Sequence, residues 1–146
     1  FMNDFFKKID NSIEAQKKSK SDFNEMKENN EEFFEHMSLR LIPILEQYVE
    51  EIRKRNIKVK SSSNKRHISV ELTYKNGGYS SLLLSTNLES GRIEFQKNYT
   101  GDKGERIVSV DGSSYDESTW KDDFFKIKIE KLIEDFVFYA PRYGGF

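Results

Sequence analysis

The apolar residues of this chain change their spacing twice. Over residues 3–55 they recur every three or four positions, over 57–110 they alternate, and over 119–140 the helical spacing returns. A 3.6-residue period buries one stripe of a helix, whereas a two-residue period buries one face of a strand. The expected architecture is α+β. It comprises an N-terminal helical segment (one kinked helix or two), a four- to five-stranded antiparallel meander and a long C-terminal helix, in a single domain over 1–146. Such an order recurs in many unrelated small bacterial proteins and carries no function by itself.

The N-terminal stripe runs through Met2, Phe5, Ile9 and Ile13, crosses a polar interval, and resumes at Phe23, Met26, Phe33, Met37, Leu41 and Leu45. As one helix, residues 3–55 would be roughly 80 Å long, against a radius of gyration of about 15 Å for a compact domain of this size. The segment must therefore fold back or project and pair with something. A break is expected near Ser21 and Asp22, where Asp22 and Glu25 have capping-box spacing. Pro43 is expected to kink the helix or start another, and Asn56, after Arg53, Lys54 and Arg55, to end it.

In the middle region, Ile68, Val70, Leu72 and Tyr74 alternate with His67, Ser69, Glu71 and Thr73, and Asn76-Gly77 signals a hairpin. A two-residue turn there sets Tyr74 opposite Tyr79, Leu72 opposite Ser81 and Val70 opposite Leu83. Leu82 and Leu84 then point to the other face, so the strand looks apolar on both sides. Ile93, Phe95 and Tyr99 form the next strand, and Ile107, Val108 and Val110 the last. Residues 111–118 are read as a loop, Thr119 with Asp122 as the cap of the final helix, and 141–146 as a short tail. That tail is either a docking peptide, a frayed end or an aromatic segment tucked against the domain.

Composition narrows the chemistry. The 146 residues hold 24 basic and 25 acidic side chains, and segment by segment the charges nearly cancel. No whole-domain electrostatic case for nucleic acid or membrane arises. The absence of cysteine excludes disulfides, thiolate metal sites and cysteine nucleophiles. Asp4, Lys7, Lys8 and Asp10 interrupt any secretory pattern, and Met2 is read as the natural start after an added Phe1. A cytoplasmic location, with no membrane contact, is the expectation.

Each chemical constellation has a plainer explanation. Arg53, Arg55, Lys58, Lys60, Lys65, Arg66 and His67 form a basic run with no acid between Ile52 and Val70, a candidate contact for nucleic acid or another anion. Dipole complementation and a lysine-defended edge strand account for it more simply. His67, Ser69 and Glu71 carry the residue types of a hydrolytic triad, but alternate strand residues lie about 6.8 Å apart, too far for the nucleophile–base hydrogen bond. Glu32, His36 and Arg40 read as a helical ion-pair ladder rather than a metal site. Asp116, Glu117, Asp122 and Asp123 read as acids gathered at a helix N-terminus. The glycines fall at turns, in no phosphate-binding pattern.

These readings converge on a non-enzymatic interaction or accessory module with no catalytic residue, metal or cofactor. It is expected to self-associate as a homodimer, or bind another protein, through Phe5, Ile9, Phe23, Met26 and Phe33. The alternative is a nucleic-acid or anion binder using Arg53 to His67. An enzyme relying on carboxylates such as Glu71 or Glu94 ranks third.

Overall fold

The computed structural model describes residues 2–146; Phe1, read above as an addition, lies outside the described residues. In chain order the elements are helix α1 (Met2–Lys54), strands β1 (Lys58–Ser63), β2 (His67–Thr73), β3 (Tyr79–Thr86), β4 (Ile93–Thr100) and β5 (Arg106–Tyr115), and helix α2 (Asp122–Tyr139). A 3-10 turn, Ala140–Tyr143, follows α2. The five strands form one antiparallel sheet in the order β1-β2-β3-β4-β5, each paired with the next in sequence.

Contrary to the expected break, α1 is a single helix of 53 residues. Ser21 and Asp22 are modest helix formers, but strong formers flank them, and Glu14–Lys17 and Lys27–Glu31 pair across one turn on either side. Pro43 lies inside the helix without ending it. It sits on the exposed face, as does Leu39, so the carbonyl that loses its donor opens toward water. The helix does end at Asn56, which takes the left-handed conformation (φ 59°) suited to the residue after a helix.

Both helices lie on one face of the sheet and share one core. Phe34, Met37, Leu41, Leu45, Val49 and Ile52 of α1 and Phe125, Ile129, Leu132 and Phe136 of α2 meet the strands' inward rows. Those rows are Ile68, Val70 and Leu72 of β2, Leu82 and Leu84 of β3, and Ile93 and Phe95 of β4.

The β2–β3 pairing runs one residue off the expected register. Thr73 faces Tyr79, Leu72 faces Ser80 and Val70 faces Leu82. The cause is the turn. Tyr74 accepts from the Gly77 amide at 3.1 Å and donates to the Gly78 carbonyl at 2.7 Å, with Gly77 at φ 92°. This is a three-residue loop with a glycine bulge, not a two-residue Asn-Gly turn. The extra residue turns Leu82 and Leu84 inward and leaves Leu83 with Ser81 and Ser85 on the outer face. The strand is therefore apolar on one side only.

Two C-terminal boundaries also differ. β5 continues through Asp111–Tyr115, which the sequence reading assigned to a loop. The ladder slips between Glu94 and Gln96, and Gly112 at φ 77° absorbs the bulge. Helix α2 starts later than expected, with Lys121 at its N-cap and no side-chain cap. Thr119 instead closes the preceding turn with Asp116, and Trp120 packs in the core ahead of the helix.

Candidate functional site

The sheet covers only part of α1. Its buried residues begin at Asn30; from Met2 to Met26 the helix buries none, and it projects by roughly 40 Å. Along that projection lie Met2, Phe5, Phe6, Ile9, Ile13, Phe23 and Met26, all exposed, with Phe5 at 57% and Phe23 still at 42%. Phe5, Ile9, Phe23 and Met26 occupy the same side of the helix that meets the sheet further along, because the stripe resumes in phase after the polar interval and continues into Phe34, Met37 and Leu41. Phe33, the fifth expected partner contact, is half-buried against the core and belongs to the folded body.

The root of the projection is held by the turn between β3 and β4. Asn30, nearly buried, donates from Nδ2 to the Ser90 carbonyl at 3.0 Å. Gly91 follows at φ 71°, pressed so closely on α1 that a Cβ there would stand 2.6 Å from the Lys27 carbonyl oxygen. Asn87 Oδ1 accepts the amides of Glu89 and Ser90, which fixes the turn's shape.

The basic run does not converge. Arg53 and Arg55 stand at the end of α1, where Arg55 bonds Glu51 at 2.9 Å, as does Lys54 at 3.1 Å. Lys65 and Arg66 lie at the opposite end of the β1–β2 hairpin, and Lys65 reaches Glu35 of α1 at 3.8 Å. Glu35 and Arg53 are 18 residues apart on one helix, hence about 27 Å. Between the two groups, Lys60 is paired with Glu71 across the strands at 3.4 Å, and Lys58 faces Thr73. His67 opens β2, half-buried. An anionic partner would meet two separate, partly neutralised groups.

The remaining constellations resolve into structural contacts. Ser69 shares a hydrogen bond with Ser62 at 2.7 Å, and Glu71 holds Lys60. Arg40 does not join a ladder with His36; its guanidinium donates to both carboxylate oxygens of Asp122, at 2.9 and 3.1 Å. Arg40 and the indole N–H of Trp120 hold the Asp122 carboxyl below its usual range. Asp116 is held lower still, at about 2, by the Ser118 hydroxyl, Thr119 and the nearby Arg92. Among the described residues no cluster of three histidine, aspartate or glutamate side chains is placed to hold a metal ion.

One feature escaped the sequence reading. Tyr74, Tyr79, Tyr99, Tyr139 and Tyr143 line a half-open cleft of about 580 Å³ between β3–β5 and the C-terminal segment, with Lys97, Asp135 and Arg142. Its charges are mutually engaged, since Lys97 bonds Asp135 at 3.0 Å. The tail builds one wall: Tyr143 stacks on Tyr74 with centroids 4.5 Å apart and donates its hydroxyl to the Thr100 carbonyl. Burial pushes the Tyr74 phenol up to about 12. The tail is thus tucked in. Only the tyrosines' count was visible beforehand, because they are scattered over seventy positions.

No protein-family model, curated protein or solved structure matches this chain. No helix among the described residues is long and apolar enough to cross a membrane.

Proposed function

We propose that this protein is a non-enzymatic interaction module that associates with a second copy of itself through the projecting half of α1. The observation that carries this reading is the uncovered row Phe5, Ile9, Phe23 and Met26, collinear with a stripe that is buried from Phe34 onward. A large apolar row on the surface marks an interaction site more often than chance decoration does, and an isolated helix gains little from propensity alone. A cytoplasmic setting belongs to the same reading, since no contact in the fold needs a disulfide.

The test is the mass in solution, by light scattering or sedimentation, from sub-micromolar to tens of micromolar. A reversible dimer is expected, and Phe5→Ser with Phe23→Ser should return a folded monomer. A parent protein that stays monomeric throughout that range refutes the reading.

A further inference from the structure

We infer that the two copies pair with their α1 helices antiparallel, Phe5 of each against Phe23 of the other, about a two-fold axis between Ser12 and Gln16. This rests on the self-association proposed above and specifies its geometry. Direction follows from the continuity of the stripe. The side of α1 that would face a partner over residues 2–26 faces its own sheet from Asn30 on. A parallel partner helix, laid on that side, would be driven into the sheet after one further turn. An antiparallel partner runs the other way, and its folded body lies beyond Met2.

Register follows from the side chains. Written as heptads, the seam holds Met2, Ile9, Gln16 and Phe23 in one core position and Phe5, Ser12, Ser19 and Met26 in the other. Antiparallel helices oppose the two kinds. One alignment sets Met2 on Met26, Phe5 on Phe23, Ile9 on Ser19 and Ser12 on Gln16. The large apolar residues then meet at the ends, and the polar ones meet at the centre, where a Ser–Gln hydrogen bond is available twice by symmetry. Shifting by a heptad one way sets Gln16 against Phe5 and leaves its amide unpaired. Shifting the other way sets Gln16 on Ser19 but lays Phe5 on Asn30 and Met2 on Phe33, which the folded body already covers, so the polar centre and the sheet together select the register.

The flanking positions agree. Lys8 comes beside Asp22 of the second copy, Lys20 can lay its stem over Phe6, and Ala15 and Ile13 meet their own copies at the axis. With each of the seven apolar side chains about half exposed, the seam offers roughly 600 Å² per chain, or about 1,200 Å² for the pair, the lower end of the range for stable interfaces.

The absence of cysteine makes the test direct. Full-length Ile9→Cys and Ser19→Cys proteins are mixed in a glutathione redox buffer and resolved without reductant. The mixed 9–19 disulfide is expected to dominate, because two copies of residue 19 would be about 15 Å apart along the axis, beyond disulfide reach. Ser19→Cys bridging to itself in preference, or a dimer with no mixed bridge, overturns the antiparallel register while self-association stands. A monomeric parent removes both.

A second measurement does not depend on the Ile9 substitution. Lys8→Glu should weaken dimerisation about ten-fold through its two symmetric contacts, and adding Asp22→Lys to the same chain should restore it. Failure to restore overturns the register.

Discussion

Replacing Gly91 by alanine tests whether the β3–β4 turn anchors the root of the projecting helix. Two costs add. A Cβ at φ 71° carries left-handed strain of about 1–2 kcal/mol, and the same Cβ would stand 2.6 Å from the Lys27 carbonyl oxygen and 3.1 Å from Asn30 Cβ. The first neighbour is helix backbone and cannot rotate away, so the turn or the helix must shift, at a cost typical of overpacking, about 1–3 kcal/mol. Gly77 supplies the control: it has φ 92° and nothing within 4 Å of its notional Cβ, so Gly77→Ala carries strain alone. Urea unfolding, followed by the fluorescence of the single tryptophan, Trp120, reads both. With a slope near 2 kcal/mol per molar, Gly91→Ala should lower the midpoint by about 1.5 M and Gly77→Ala by about 0.7 M. Equal shifts at unchanged slope would refute the claim that the turn braces the helix.

Leu84→Ala should cost about 2–5 kcal/mol and Leu83→Ala under about 1 kcal/mol, since only Leu84 is in the core; equal costs in urea would contradict the observed β2–β3 register. Asp116, held at about 2 in the folded chain against an ordinary 3.8, contributes stability that is present above the ordinary value and lost as pH falls from about 4 to 2. Allowing for its partial exposure, Asp116→Asn should cost about 1 kcal/mol at pH 7 and only a small fraction of that by pH 2; a pH-independent difference in melting would be the contrary result. Tyr143→Ala removes the stack on Tyr74 and the bond to the Thr100 carbonyl, and should cost about 2 kcal/mol while releasing the tail to proteolysis; an unchanged cleavage pattern would count against the docked tail.

What was legible in the sequence is what periodicity encodes: the order of elements, the antiparallel meander, and the inward row Ile68, Val70 and Leu72. What was not legible depends on local geometry with several solutions. Asn76-Gly77 suits a two-residue turn, but the chain builds a wider turn with Gly77 as its bulge, and that single residue reverses the facing of Leu82, Leu83 and Leu84. Asp111 to Ser114 reads as a polar loop because a bulge, not alternation, carries β5 through it. Ser21 and Asp22 have capping chemistry, yet a cap forms only where the chain leaves the helix, and nothing there obliges it to leave. For the candidate surface, the stripe was visible, but the point at which the sheet stops covering it was not. That point is set by Asn30 and the turn at Ser90 and Gly91, with Asn30 and Ser90 60 positions apart in the chain.

The stripe on α1 has to satisfy two environments with one spacing. From Phe34 to Ile52 it meets a sheet whose strands are fixed by their own ladder, and there its buried residues are apolar apart from Ser38. From Met2 to Met26 it keeps the large residues at its two ends and places Ser12, Gln16 and Ser19 between them. A surface meant only to stay dissolved would not retain Phe5, Ile9 and Phe23 on the side that the sheet covers from Asn30 onward. A surface meant only for maximal burial would not interrupt itself with three polar residues. Apolar ends around a polar centre match each other in either direction, but only a copy laid in reverse keeps the two sheets apart. The position of the folded body therefore sets the direction of the pair, and the polar centre of the projecting half sets its register, so the steric and the chemical constraints complete one another.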